Sequence, residues 1–250
     1  MAHRDEIVAH LDALLRSDEF EDYGPNGLQV PGRKEVRRVV TGVSANRALI
    51  DAAAGLGAEL LLVHHGLFWP SIGPLDQLTT GRLRPLLAGE ISLVAYHLPL
   101  DAHPQFGNNA LLADALELTA RHAFAPHRGQ LLGVAGRLPQ PLAPQQLVEL
   151  VGAHTQPPLA FLYGPELVRS VGIVSGGAAD DIAGAAALGL DAFITGEPAE
   201  RSQALAEELG IHFLAAGHHA TERFGVRALG ELLAAEFAVD HTFVDIANPV

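Results

Sequence analysis

Cysteine is absent from this 250-residue chain, which excludes disulfide bonds, thiolate metal ligands and cysteine nucleophiles. No apolar run approaches the roughly 18 residues that a membrane-spanning helix needs. The first residues also lack the basic segment and apolar stretch of a signal peptide. These absences predict a soluble cytoplasmic protein with no membrane partner. Because thiolates are absent, any metal must be bound by nitrogen and oxygen atoms.

Positive charge is scarce as well. The chain has 16 basic residues against 29 acidic ones, and its formal net charge is −13. Proteins that bind a phosphate backbone rely on clustered lysine and arginine, and this sequence has no long run of them. A nucleic-acid partner is therefore disfavoured. The sequence has no P-loop either, so no motif identifies a nucleotide pocket.

The chain does have a large apolar fraction, at 48% of its residues, which is enough for a sizeable core. Short runs that are apolar on both faces, such as residues 60–63, alternate with alanine-rich helical segments. This alternation predicts an α/β fold with a parallel sheet covered on both sides. Residues 22–32 contain glycine and proline and are predicted to form a loop, and residues 155–166 an irregular link.

Two stretches of the chain repeat one order of elements. The stretch that begins at Arg169 follows the pattern of the stretch that begins at Arg37: strand, helix, strand, and then a histidine with a carboxylate four residues later. We interpret this as an internal duplication that produces two similar, closely packed α/β halves, at residues 1–127 and 128–250. Repeated alanine and glycine in helices can mimic such similarity by chance, which is the alternative.

The most informative residues are histidines and carboxylates that follow buried strands. Ligand sites in open α/β sheets lie beyond the carboxyl ends of the strands, and histidine nitrogen and carboxylate oxygen are typical ligands of divalent metals. These candidate ligands are His64, His65, His97, Asp101, His218 and Glu222. They are too many for one tetrahedral zinc and suit two ions about 3.5–4 Å apart. Nitrogen and oxygen ligands permit zinc, manganese, iron or cobalt.

Adjacent residues of a strand point in opposite directions, so His64 and His65 are expected to reach different metals. One of them can instead be a packed core histidine. His218 and Glu222 are four residues apart and share one face of a predicted helix, although a surface pair would have the same spacing.

The ligand pair of the first half is less regular. Pro99 is expected to prevent a regular helix, so His97 and Asp101 need not share a face. Asp101 is the stronger ligand candidate, whereas His97 either binds metal or orients a ligand through a hydrogen bond. Glu197 follows a buried strand and is a candidate for proton transfer, or it simply suits the start of the next helix.

Six motifs together resemble the NGG-interacting-factor-three-like family, whose members are known as GTP cyclohydrolase I type 2 homologues or dinuclear metal-centre hexameric proteins. The resemblance covers essentially the whole chain, and the motifs occur in the family's order. They are NGLQV at residues 26–30, LVHHGLFW at 62–69, HLPLDAH at 97–103, SGG at 175–177, TGE at 195–197 and GHHATERFG at 217–225.

The resemblance implies a toroidal homohexamer with a two-metal centre between the two α/β halves of each subunit. The family's metal positions fall on His64, His65, Asp101, His218 and Glu222, with His97 close by. The expected function is that of a metal-dependent hydrolase of the cyclohydrolase or amidohydrolase type, acting on a nucleotide or related small molecule. The alternative is a non-catalytic, metal-binding hexameric scaffold that engages a partner protein.

Overall fold

The computed structural model describes residues 2–69 and 75–250. The contacts within the chain define two compact units. Unit 1 consists of Met1–Leu100 and Gly225–Ala247, and unit 2 consists of Asp101–Phe224 and Asn248–Val250. Each unit combines a β-sheet with helices, which confirms the predicted α/β class.

Strands and helices alternate along most of the chain. The strands are β1 (Ala2–His3), β2 (Gly27–Val30), β3 (Glu35–Val36), β4 (Arg38–Ser44), β5 (Leu60–His65), β6 (Ser92–Ala95), β7 (Thr119–His127), β8 (Gln130–Leu142), β9 (Leu159–Leu162), β10 (Val168–Ile173), β11 (Ala192–Thr195), β12 (His212–Ala215) and β13 (Asp240–Phe243). The α-helices are α1 (Arg4–Leu15), α2 (Arg47–Gly55), α3 (Gln77–Ala88), α4 (Leu98–Asp101), α5 (Asn108–Ala115), α6 (Pro144–His154), α7 (Ile182–Ala187), α8 (Ser202–Leu209), α9 (His218–Thr221) and α10 (Arg223–Phe237). Within the described part of the chain, no helix has both the length and the apolar character required to cross a membrane.

The main sheet of unit 1 has the strand order β13-β4-β5-β6-β2. β13, β4, β5 and β6 run parallel, and β2 pairs antiparallel with β6. The central strand β5 is buried on both faces, as its apolar run predicts. Asn46 caps the amino end of helix α2, since its side chain accepts from the N–H of Leu49. The helix buries Leu49 and Ile50 in the core of unit 1.

The sheet of unit 2 has the order β7-β8-β10-β11-β12-β9. β10, β11 and β12 run parallel, whereas β8 and β9 pair antiparallel with β10 and β12. Phe193 of β11 and Phe213 of β12 are fully buried, with ring centroids 6.0 Å apart. This aromatic pair holds the middle of the sheet against the helices.

In both units, the residue directly before a central strand is a carboxylate that accepts hydrogen bonds from the backbone of the neighbouring strand. Glu59 Oε2 accepts from the N–H groups of Arg37 and Arg38, at 3.0 and 2.7 Å. Asp191 Oδ2 accepts from the N–H of Arg169, at 2.7 Å, and from that of the next residue, at 2.9 Å. Each carboxylate therefore satisfies two backbone donors at the amino end of a parallel strand pair.

Two strands lie where the sequence predicts loops. β2 lies within residues 22–32, and Gly27 enters it with a φ of +89°, which favours glycine. β9 lies within residues 155–166 and forms an edge of its sheet. Both expectations were wrong. The glycine and proline of these segments indicate loops, but each segment becomes a strand because it pairs antiparallel with a strand that is distant in sequence.

A short helix, α4, begins at Leu98 and contains Pro99 as its second residue. The N–H of Leu100 donates to the carbonyl oxygen of His97, at 2.9 Å. Proline fits the first turn because the helix does not require its missing N–H there. The expectation that Pro99 prevents a regular helix at this point was therefore wrong, because one helical turn forms there.

The boundary predicted between residues 127 and 128 falls in the turn of the β7–β8 hairpin, inside unit 2. Arg128 and Gly129 form this turn with φ values of +45° and +87°. The proline and glycine near this point belong to this hairpin. The units defined by contacts therefore differ from the halves predicted at residues 1–127 and 128–250.

We predict that Asp191→Ala lowers the free energy of unfolding by about 1–3 kcal/mol, because the N–H groups of Arg169 and Ser170 lose their acceptor. Urea denaturation measures this change. Glu207→Ala removes an exposed carboxylate from α8 and serves as the control, with an expected change within about 0.5 kcal/mol. Equal stability of the two variants would contradict the proposed role of Asp191.

Candidate metal centre

Three histidines of unit 1 lie together at the carboxyl ends of β5 and β6. His64, His65 and His97 each offer a ring nitrogen, and these three atoms lie within 4.8 Å of one another. The ring centroid of His64 is 4.7 Å from that of His65 and 4.9 Å from that of His97. His64 is buried and the other two are partly exposed, so this triad can hold a cation that enters from solvent.

The fold holds the two adjacent histidines through Nδ1. His64 Nδ1 donates to the carbonyl oxygen of Tyr96, at 2.9 Å, because a carbonyl oxygen can only accept. His65 Nδ1 is hydrogen-bonded to the hydroxyl of Ser44, also at 2.9 Å. A metal bound by His64 would therefore contact Nε2. Adjacent side chains of a strand usually point in opposite directions, but the imidazoles of His64 and His65 lie with their ring centroids 4.7 Å apart. Hydrogen bonds to neighbouring segments hold both rings in place.

His97 is held by Asp22, a residue that the sequence analysis missed. His97 Nδ1 and Asp22 Oδ1 are 2.7 Å apart, and the carboxylate also accepts from Asn26 Nδ2 and from the N–H groups of Tyr23 and Leu98. Burial alone would raise the pKa of Asp22, but the hydrogen bonds from His97, Asn26 and Leu98 lower it to about 2. Asp22 is therefore ionised at neutral pH, and His97 Nδ1 carries the hydrogen.

Aromatic side chains surround the exposed side of His97. The ring centroid of Trp69 lies 5.5 Å from that of His97 and 6.1 Å from that of His65. The ring centroid of Tyr23 lies 6.0 Å from that of His97. Trp69 is the one tryptophan of the sequence, so its fluorescence reports on this triad alone.

Unit 2 carries a second group of donors, after β11 and β12. His218 opens α9, and Glu222 occupies the break between α9 and α10. His218 Nε2 is 3.2 Å from Glu222 Oε1, so the i, i+4 spacing does place these side chains together. His218 Nδ1 lies 2.5 Å from Glu197 Oε1. Glu197 thus contacts the histidine directly, and the alternative that it suits the start of a helix was wrong, because the next helix, α8, begins only at Ser202.

Asp101 belongs to the same group. One of its carboxylate oxygens lies within 4.8 Å of a carboxylate oxygen of Glu222, and the two residues are only 7% and 2% exposed. Asn108 Nδ2 and Ser175 Oγ donate to Asp101 Oδ1, at 2.8 and 3.1 Å. Two buried carboxylates at this distance repel each other, and a cation between them would relieve that repulsion.

The charge state of His218 reflects this acidic environment. Burial would lower the pKa of His218, but the hydrogen bonds and charges of Glu222 and Glu197 raise it to about 9. Without metal, His218 is therefore protonated at neutral pH. A metal ligand must be a neutral imidazole, so an ion that binds here has to displace this proton.

Gly176 makes room for Glu222. A Cβ at this position would lie 2.3 Å from Glu222 Oε1, and the φ of +68° also favours glycine. In the sequence, the Ser-Gly-Gly motif is only a weak signal for phosphate binding. Its second residue instead permits the close approach of a buried carboxylate, which no local pattern indicates.

The donor set fits a divalent metal, because imidazoles that are hydrogen-bonded at Nδ1 form the first group, and one such imidazole with two buried carboxylates forms the second. The sequence profile of the Duf34/NIF3 family (NGG1p interacting factor 3) matches residues 2–249. The chain belongs to this family.

Relatives within the Duf34/NIF3 family match the chain over nearly its full length. A protein of Vibrio cholerae is 45% identical over 249 residues, and one of Escherichia coli is 44% identical over 247 residues. Both alignments cover 98% of each chain, and both relatives bear the name GTP cyclohydrolase 1 type 2 homolog.

Solved structures of similar proteins show the same fold. Protein ybgI, described as of unknown function, superposes with a TM-score of 0.93 at 43% identity, and the match covers 99% of this chain and 100% of that one. The Thermus thermophilus protein TTHA1606 gives a TM-score of 0.89 at 38% identity, with the same coverage.

Gly176→Ala is expected to displace Glu222, because the added methyl group and the positive φ are both incompatible with the present geometry. We predict a folded protein that retains less metal and is less stable by about 1–3 kcal/mol. Metal content after dialysis and urea denaturation test this prediction. Gly184→Ala, in α7, has no atom near the added Cβ and is the matched control. Full metal retention in Gly176→Ala would contradict the prediction.

The stability of the metal-free protein should fall as the pH rises through the pKa of His218. This pKa is about 9 in the folded protein, above the ordinary value of 6.5. The stabilisation is therefore complete below pH 6.5 and is lost as the pH approaches and passes 9, with a size on the order of 1–3 kcal/mol.

Urea denaturation with a chelator at pH 6, 7.5 and 9 measures this effect. His218→Gln should remove the slope that the wild-type protein shows over this range, whereas substitution of the exposed His154 should leave it unchanged. Parallel pH profiles for the wild-type protein and His218→Gln would refute the assignment.

Proposed function

We propose that this chain is a metal-dependent hydrolase of the cyclohydrolase or amidohydrolase type, acting on a nucleotide or a related small molecule. Two divalent ions, of zinc, iron or manganese, would be its cofactors. The ligands would be His64, His65, His97, Asp101, His218 and Glu222. One observation carries the proposal: in all four histidines a hydrogen bond within the fold occupies Nδ1.

This shared hydrogen bonding favours metal binding over simple packing. A ligating histidine typically donates its other ring nitrogen to a carboxylate or carbonyl group, which fixes the ring and its tautomer. Here Tyr96, Asp22 and Glu197 are such acceptors for three of the rings. In His64 and His97 this leaves Nε2 as the ligand atom. In His218 the same atom becomes available once its proton has left.

The side chains around the centre have distinct roles in the proposed reaction. When bound, the two ions polarise the substrate and lower the pKa of a coordinated water. Asn108 and Ser175 hold Asp101 through Oδ1. Glu197 binds the Nδ1 hydrogen of His218, and its side chain is 39% exposed, so its second oxygen can exchange a proton with the substrate or solvent.

The name of the relatives supports the substrate class. The relatives are named as homologues of a GTP cyclohydrolase, a name that combines a purine nucleotide with hydrolysis. We assign the same broad class to this chain and place the protein in the cytoplasm.

We also propose that the subunit is internally duplicated and assembles as a toroidal homohexamer. Support for the duplication comes from the equivalent roles of Glu59 and Asp191, each of which binds the backbone of the preceding parallel strand. Each unit also has a parallel three-strand core with a helix in each connection. Native mass spectrometry tests the assembly directly.

A second candidate function is that of a non-catalytic, metal-binding scaffold that engages a partner protein. The description of the family, NGG1p interacting factor 3, favours it because the name records an interaction and not a reaction. The two candidates make opposite predictions for a metal-loaded protein that is offered small-molecule substrates.

We predict that the metal-loaded protein hydrolyses at least one member of a panel of purine and pyrimidine nucleotides. Glu222→Gln should reduce this activity at least about 100-fold, because it removes a buried carboxylate from the centre. Liquid chromatography with mass spectrometry identifies the product, and elemental analysis gives the metal content.

Glu207→Gln, which neutralises an exposed carboxylate on α8, is the matched control and should retain full activity. A panel without turnover, at full metal occupancy, would reject the hydrolase and favour the scaffold. Anomalous scattering at several metal absorption edges identifies the ions and their ligands.

A further inference from the structure

The segment before β2 carries a buried carboxylate next to the histidine triad. The side chain of Asp22 is 2% exposed and receives hydrogen bonds on both of its oxygens. We propose that Asp22 is a positioning residue of the metal centre, which fixes the tautomer of His97 so that Nε2 faces the ion. This inference rests on the proposed function, because it assumes that His97 binds metal.

The chemistry of the pair determines where the hydrogen lies. An ionised carboxylate only accepts hydrogen bonds, so the 2.7 Å contact between Asp22 Oδ1 and His97 Nδ1 requires the hydrogen on Nδ1. A neutral imidazole has one hydrogen on its two nitrogens, which leaves a lone pair on Nε2. Without this acceptor, a hydrogen on Nε2 would compete with the metal.

The same segment also fixes the backbone at His97. Asn26 Oδ1 accepts from the N–H of His97, at 2.9 Å, and Asp22 Oδ2 accepts from the N–H of Leu98, also at 2.9 Å. Asn26 Nδ2 donates to Asp22 Oδ2, at 3.0 Å, and thereby links the two acceptors. Asp22 Oδ2 thus accepts from Leu98 and Asn26, whereas Oδ1 accepts from His97 Nδ1 and, at 2.6 Å, from the N–H of Tyr23.

This division makes Asp22→Asn an informative substitution. Two donors, Leu98 N–H and Asn26 Nδ2, point at the position of Oδ2. The position of Oδ1 faces one backbone donor, the N–H of Tyr23, and the imidazole of His97, which can stop donating by changing its tautomer. The carbonyl oxygen of the new asparagine should therefore lie at the position of Oδ2. Its amide group then faces His97 Nδ1 and donates to it, which reverses the hydrogen bond. The hydrogen of His97 should move to Nε2, the atom that is proposed to bind metal.

Asp22 differs in this respect from Glu197, the carboxylate that contacts His218. Glu197 is 39% exposed, so it can exchange protons with solvent, whereas the side chain of Asp22 is almost completely enclosed. Asp22 therefore orients an imidazole without taking part in proton transfer. We assign it no contact with the substrate.

The first test uses the full-length, metal-free protein labelled with nitrogen-15 in its histidines. Two-bond proton–nitrogen correlation spectra identify the tautomer of His97, and His97→Gln assigns its signals. We expect the Nδ1–H tautomer in the wild-type protein and the Nε2–H tautomer in Asp22→Asn. An Nε2–H tautomer in the wild-type protein would overturn the proposal, and this measurement does not depend on how well the variant folds.

The second test is a cobalt(II) titration that follows the fluorescence of Trp69, whose ring lies 5.5 Å from that of His97. Asp22→Asn should weaken binding about 10- to 100-fold. The control is Asp51→Asn, which neutralises an exposed carboxylate of α2 that accepts from Arg47, and its affinity should equal that of the wild-type protein.

The outcomes separate the two proposals. A wild-type protein that binds no cobalt would reject the metal centre itself. A wild-type protein that binds cobalt, with an unchanged affinity in Asp22→Asn, would leave the centre intact and reject the role of Asp22. Weaker binding in Asp22→Asn, together with a changed tautomer, would support it.

Discussion

The candidate centre depends on hydrogen bonds that end at Nδ1 of its histidines. A carbonyl group, a hydroxyl group and two carboxylates from neighbouring segments hold the four rings before any ion arrives. An imidazole that is free to rotate would lose side-chain entropy on binding metal. These rings have already lost most of their side-chain entropy on folding, so metal binding would cost less. The parallel sheets make this possible, because they bring the ends of distant segments to one edge.

Electrostatics in unit 2 impose a second constraint. Asp101 and Glu222 are both buried, and the protonated imidazole of His218 lies against Glu222. The proton on His218 thus partly compensates the negative charge in the metal-free protein. A metal at His218 would compete with this proton for Nε2, so metal occupancy would then depend on pH. Gly176 maintains this arrangement by leaving Glu222 the space that it fills.

The sequence predicted the α/β class and the residues at the strand ends, because apolar runs and the spacing of polar residues are local signals. His64 and His65 end β5, and the side chains of His218 and Glu222 are in contact as their spacing indicates, although Glu222 lies just beyond α9. Asp22 could not be predicted in this way, because its partner lies 75 residues along the chain. β2 and β9 were missed for a related reason: each is a strand only because a distant strand pairs with it.

The edge strand β9 has a consequence for how the protein behaves at high concentration. It contains no charged residue, and Leu159 and Leu162 at its two ends are 52% and 39% exposed. An uncharged edge of this kind offers unpaired backbone groups to another polypeptide and favours aggregation. The net charge of −13 opposes such encounters through long-range repulsion. Added salt screens that repulsion without covering the edge, so colloidal stability should decrease as ionic strength increases.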